Sequence, residues 1–174
     1  MFVIYFIFSN EDRLLAKAKL TQSSYRHAVE LDSCNHIIWT EYGTFAYVVH
    51  SFCSRLLKQE TDTLSMERFE VLETRKEEML EIAYQCFQSC ARLFIGTKDG
   101  TIPHDERWLY QYMLGKVAEK KNQDPPVYLE HYSKVFVIQI CMQWDTGDIY
   151  SNLFIFNYRL VNYCITIMHN IHVE

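Results

Sequence analysis

The feature that most constrains this chain is a pair of long apolar stripes at helical spacing in its middle. From Ile38, the residues Ile38, Tyr42, Phe45, Val49, Phe52, Cys53 and Leu56 recur by threes and fours, which gathers them on one side of an α-helix. A second stripe runs Phe69, Leu72, Met79, Leu80, Ala83, Phe87, Cys90 and Phe94, and its other face holds Glu70, Glu73, Arg75, Glu77, Glu78 and Glu81. Helices apolar along one side must bury that side on one another, so the expected fold class is all-α. Five Gly and three Pro in 174 residues are too few for a sandwich or barrel built on many tight turns.

The ends of these helices carry their own signals. Asn35 stands in position to cap the first and Ser65 the second. The second is expected to end in the turn Gly96-Thr-Lys-Asp-Gly100. A third helix follows Pro103, which suits a first turn, with Asp105 and Glu106 favouring the positive end of the helix dipole. Leu109, Tyr112, Met113 and Val117 give its face. Asn122-Gln-Asp-Pro-Pro126 breaks the chain again, and Val127 to Tyr132 opens a fourth helix. Residues 13–31 form an earlier helix that ends at Leu31 and Asp32.

Composition divides the chain into three zones. Residues 11–134 are charge-rich and periodic. Residues 1–10 open with Met1-Phe-Val-Ile-Tyr-Phe-Ile-Phe8, too short to span a bilayer and without the basic start and cleavage site of a signal peptide. Residues 135–174 carry only four charged side chains, Asp145, Asp148, Arg159 and Glu174. Asn152, Asn157, Arg159 and Asn162 spoil that segment as a membrane span, while its β-branched and aromatic content suits strands on propensity alone. Both end segments are expected to be translated non-coding sequence or a gene-model error, the last one non-native or poorly ordered. A transcript that reads continuously across the junction of Lys134 and Val135 to Glu174 would contradict this.

Repeats explain the middle zone best. The tetratricopeptide pattern is W-x2-L-G-x2-Y, then A-x3-F, then Pro, in repeats of about 34 residues. Trp39-Thr-Glu-Tyr42-Gly43-Thr-Phe-Ala46 matches the first part, with Tyr for Leu and Ala for Tyr. Tyr25-x2-Ala28, 14 residues before Trp39, fits the closing half of a preceding repeat in phase. Ala83-x3-Phe87-x2-Cys90 repeats the second-helix signature, and Leu114-Gly115-x2-Ala118 the first-helix signature. Small residues at Gly43 and Ala46 admit a partner helix closely, and the large ones fill the gap. The phase is imperfect: Gly43 and Ala83 are 40 residues apart, where the pattern has about 12. The helix after Gly43 must run long, with a linker near residues 59–65. A further excess of about ten residues before Gly115 falls in the loop at 94–106. The expectation is an array with extended helices, and the competing one is a plain helical bundle whose Trp and Tyr residues fill its core.

Chemical motifs are weak. His169-Asn-Ile-His172 puts two imidazoles on one helical face but lacks acidic or Cys companions for a metal. Cys86 and Cys90, one turn apart, lie on an apolar stripe, where free Cys behaves as a small hydrophobe. His50 beside Ser51-Phe-Cys53-Ser54 hints at a nucleophile, but sequence neighbours on a helix do not face each other. His104-Asp105-Glu106 reads as a helix start, and no phosphate-binding or dinucleotide loop occurs. The six cysteines, which include Cys34, Cys141 and Cys164, point to a reduced intracellular chain rather than a disulfide framework. A net charge of −5 without a basic cluster argues against direct nucleic-acid binding. The acidic run at 67–81 is expected to be a solvated helical face, the alternative being a dock for a basic partner.

At these same residues the chain resembles the calcineurin-binding protein cabin family. The resemblance rests on Trp39-Thr-Glu-Tyr-Gly43, on Val49-His-Ser-Phe-Cys-Ser-Arg-Leu-Leu-Lys58 and on Met79-Leu-Glu-Ile-Ala-Tyr-Gln-Cys-Phe87. Above all it rests on Glu106-Arg-Trp-Leu-Tyr-Gln-Tyr-Met-Leu-Gly-Lys-Val-Ala-Glu-Lys120, continued by Pro126-Val-Tyr-Leu-Glu-His-Tyr132, and it covers residues 20–134. The resemblance implies a fragment of a large nuclear scaffold with tetratricopeptide-like repeats. Its partners would be the subunits of the HIRA histone-chaperone complex, which deposits histones outside replication. The animal protein is also named for inhibiting calcineurin and repressing a muscle-type transcription factor. Calcineurin inhibition resides in distant parts of the family protein that this chain does not match, so calcineurin binding is not expected of it.

The expected function is therefore that of a non-catalytic interaction scaffold, with no cofactor, metal or membrane partner. Tyr25, Ala28, Trp39, Tyr42, Gly43, Ala83, Phe87, Trp108, Leu114 and Gly115 are the positions expected to carry the repeat fold. One rival is a cytoplasmic tetratricopeptide adaptor that captures peptide tails through a basic carboxylate clamp. Another is an enzyme whose polar groups converge in a pocket that sequence does not reveal.

Overall fold

The computed structural model describes the backbone of residues 2–59, 64–96 and 107–146, and the side chains of 11–59, 64–93 and 107–138. Five helices occur in it: α1 (Phe2–Leu31), α2 (His36–Gln59), α3 (Met66–Gly96), α4 (Arg107–Lys120) and α5 (Pro125–Thr146). No strand is present among the described residues, so the chain is all-α. Each helix finds its main neighbour next to it in sequence: α2 on α3, α4 on α5, α3 on α4, α1 on α2.

Local chemistry sets the helix ends. The Ile37 N–H donates to Asn35 Oδ1 at 3.1 Å, and the Arg68 N–H donates to Ser65 Oγ at 3.3 Å. Both caps satisfy a first-turn donor that has no partner inside its helix. After α4, Asn122 adopts a left-handed φ of 51°. The Asn122 N–H then reaches the Glu119 carbonyl and the Gln123 N–H the Ala118 carbonyl, each at 3.1 Å. This closes the last turn as a Schellman motif with Asn in place of the usual Gly. Pro125 then opens α5, where a missing N–H costs nothing.

Side chains along α2 and α3 run in opposite order. Thr40 meets Cys90, Gly43 meets Phe87, and His50 meets the Lys76 carbonyl. The pair is thus antiparallel, and its two stripes form the core with Tyr110, Leu114 and Val117 of α4. Met79, Ala83 and Phe87 are fully buried there. Burying a side chain the size of Met79 or Phe87 stabilises the fold by roughly 2 kcal/mol each.

Residues 135–146 are helical, although their composition suits strands on propensity alone, because α5 continues from Pro125 and lodges Val135 fully in the core. Three expectations need correction. Phe69 heads the second stripe but is 40% exposed, lying at the start of α3 beyond the tightest part of the pair. The buried side of α4 is Tyr110, Leu114, Gly115, Val117 and Ala118, with Leu109, Tyr112 and Met113 only half-buried, because α3 and α5 cover α4 from two directions. Arg75 belongs to the buried side of α3, one turn from Leu72 and Met79, rather than to its charged face. The turn after Gly96, Pro103, Asp105, Glu106 and residues 147–174 lie outside the described residues, as does the side chain of Phe94.

Candidate interaction surface

The residues on α1, α2 and α3 that were expected to carry a repeat lie together. A Cβ added at Gly43 would stand 3.0 Å from Cys86 Cβ and 3.1 Å from the Phe87 ring, so the absence of a side chain sets how close α3 lies. Ala46 and Ala83 are both fully buried in the same core. Tyr25 stacks on Tyr42, ring centroids 5.4 Å apart and planes 10° from parallel, and also lies against Phe45. This anchors the end of α1 on α2, with Ala28 half-buried beside it. Trp39 is half-buried where the two apolar clusters meet, and its indole N–H donates to the Ser33 carbonyl at 2.8 Å. It therefore ties the turn between α1 and α2 to the core.

A second group forms on α4 and α5. A Cβ added at Gly115 would stand 2.6 Å from Cε1 of Tyr132. Tyr132 is fully buried, and its hydroxyl donates to Glu119 Oε2 at 3.0 Å, which fixes the ring over the glycine. Leu114 is buried beside it, and Trp108 is half-buried, 6.4 Å from the Tyr112 ring. Tyr132 is the partner of Gly115 that the sequence did not single out; it stood there only within the opening of the fourth helix and within the stretch that carries the resemblance. Tyr110 links the two groups, since its hydroxyl accepts from Thr40 Oγ1 at 3.3 Å across α2 and α4.

The reactive side chains are placed for packing. His50 Nδ1 lies 3.0 Å from the Lys76 carbonyl, and burial holds its pKa below the usual histidine value. The Ser51 and Ser54 hydroxyls donate to the Tyr47 and His50 carbonyls of their own helix. Burial pushes the Cys53 thiol up, and that of Cys86 up to about 12, with Cys90 adding to the rise. Thiols shifted this way are poor nucleophiles and poor metal ligands. No cluster of three His, Cys, Asp or Glu that would hold a metal occurs among the described residues. His104, Cys164, His169 and His172 lie outside them, as does the side chain of Cys141.

The acidic run on α3 is largely paired within the molecule. Glu78 accepts from Gln22 Nε2 and from Arg75 Nη1, both at 3.0 Å. Its burial would raise the carboxyl pKa, but these two donors and the Arg75 charge outweigh it and hold the pKa low. Lys121 donates to Glu81 at 2.6 Å and holds that carboxyl low as well, and Lys76 pairs with Glu73. These pairings reduce the negative charge offered to a basic partner.

Two clefts flank α1. One, of about 580 Å³, separates α1 from α3 and has mixed charge, with Asp12, Lys19, Glu70 and Arg75 on its walls. The other, of about 310 Å³, runs between α1 and α2 and is walled by Leu14, Ala18, Phe45, Val48 and Phe52. No helix among the described residues is long and apolar enough to cross a membrane. No protein-family model matches the chain, and no solved structure matches it.

Proposed function

We propose that this chain is a segment of a non-catalytic scaffold, built of tetratricopeptide-like helix pairs, that holds other proteins in a nuclear histone-chaperone complex. The observation that carries the repeat reading is the contact of Gly43 with Phe87, two landmarks of the pattern that lie 44 residues apart in sequence (87 − 43). The extra length between them is taken up by helix: α2 continues to Gln59 and α3 starts at Met66, so the pair is lengthened rather than broken. The contact of Gly115 with Tyr132 gives a second glycine–aromatic pair over a short connection, in keeping with a repeat of ordinary length. Arrays of this kind bury each unit on its neighbours and bind partners along an extended surface. The resemblance to the cabin family supplies the partner class, the subunits of a HIRA-type complex, and with it the nuclear location.

The test is an affinity pull-down from nuclear extract with the tagged full chain, read by quantitative mass spectrometry. Enrichment of histone-chaperone subunits is the expected result. A Gly115→Trp chain, whose second helix pair cannot close, should lose that enrichment. Recovery of cytoplasmic peptide-tail partners instead would favour the adaptor, and equal recovery by both chains would separate binding from the paired helices.

A further inference from the structure

The groove between α1 and α2 has an apolar floor. Leu14 and Ala18 line it from α1, and Phe45, Val48 and Phe52 from α2. On each helix these residues are spaced by three or four, so they form two ridges with a valley between them, the shape that accepts the ridge of a third helix. Leu14 is 50% exposed and Val48 59% exposed, although both face apolar neighbours. The charge at the groove is opposite to that of the chain as a whole. Lys17 lines it, the Arg55 guanidinium lies 5.3 Å from the centroid of the Phe52 ring, and no acidic residue is among the lining ones. The whole chain carries −5.

We infer that this groove binds one amphipathic helix of another protein, with aliphatic anchors one turn apart and acidic side chains beside them. Apolar anchors fill the valley, in the helix-in-groove mode, and the flanking carboxylates meet Lys17 and Arg55. A second copy of this chain is the weaker occupant, since two molecules of charge −5 repel each other on approach. The inference rests on the scaffold reading and deepens it by giving the chemistry of one partner segment.

Two fluorescein-labelled peptides of about 18 residues, about five helical turns, test it. Both carry Leu at the anchor positions; one is flanked by Glu and the other by Lys. In anisotropy titrations with the full chain, the Glu peptide should bind saturably and the Lys peptide about tenfold more weakly. Val48→Glu should weaken the Glu peptide by about tenfold with an unchanged circular dichroism spectrum, the loss of a central anchor contact. Lys17→Glu should narrow the gap between the two peptides. No saturable binding of the Glu peptide, or equal binding by Val48→Glu and the native chain, overturns the inference. So does a concentration-dependent dimer in sedimentation that Val48→Glu abolishes, which would give the groove to a second copy. The native chain also enters the nuclear pull-down. Chaperone recovery by a native chain that does not bind the Glu peptide removes the groove and leaves the scaffold; peptide binding without chaperone recovery keeps the groove and removes the assigned complex.

Discussion

At Gly115 the space for a Cβ is already taken by a ring that cannot swing aside, because Tyr132 is buried and held by Glu119. Helix propensity alone would make Gly115→Ala stabilising by up to about 1 kcal/mol. The crowding predicts the opposite sign, a loss of about 1–3 kcal/mol typical of overpacking, measurable by urea denaturation. At Gly43 the contacts are looser, 3.0–3.1 Å, so Gly43→Ala should cost less than Gly115→Ala. A gain in stability at Gly115 would mean that α4 and α5 do not approach as closely as described. The histidines supply a second prediction. Burial lowers the folded pKa of His50 and, with help from Lys134, that of His131. The unfolded chain then binds more protons just below the ordinary histidine pKa of about 6.5, so stability falls as pH drops through that value toward the lower folded ones. Melting temperature should decline from pH 7.5 to 5.5, and less steeply in His50→Leu; an equal slope in both would remove His50 as a contributor. The carboxylates of Glu78 and Glu81, also depressed, act in a separate window below about pH 4.5. The close helix approach at Gly43 and Ala46 was legible in sequence because small residues admit a neighbouring helix. Arg75 and Tyr132 were not: an arginine among glutamates looks solvated until its spacing from Leu72 and Met79 is weighed, and Tyr132 falls outside the landmark residues.

Among the elements, α1 is held least. Leu14, Leu20 and Leu31 are exposed on it, an open cleft lies between it and α3, and its attachments include the Tyr25–Tyr42 stack, the pair of Gln22 with Glu78 and the ion pairs of Arg68 with Glu11 and Asp12. Native-state hydrogen exchange should therefore find residues 13–31 less protected than α2 and α3, since Val29 is the one apolar side chain buried on α1 among the described residues. Equal protection across all three would place α1 inside the same cooperative unit. Ser65→Ala should destabilise the start of α3 by about 1 kcal/mol through loss of its cap. Helix starts at Asn35 and Ser65 were readable because a capping side chain is a local signal. The helical state of 135–146 was not, since it depends on continuity with α5 and on the seat of Val135, which local propensity does not contain.

For the whole molecule, the stripes fixed an all-helical class, and the order of landmarks along α2 and α3 agrees with an antiparallel pair lengthened between Gly43 and Phe87. What sequence did not convey is where the surface stays open, because an exposed Leu14 or Val48 has the same identity as a buried one and differs only in its neighbours. The groove between α1 and α2 became visible only when the two helices were seen side by side. The scaffold account is tested most directly by mixing the purified full chain with purified subunits of a HIRA-type histone-chaperone complex and following them by size-exclusion chromatography. The account predicts that the chain co-elutes with at least one subunit, and that Gly115→Trp elutes apart from it. A native chain that is helical by circular dichroism yet elutes alone from every subunit would contradict it.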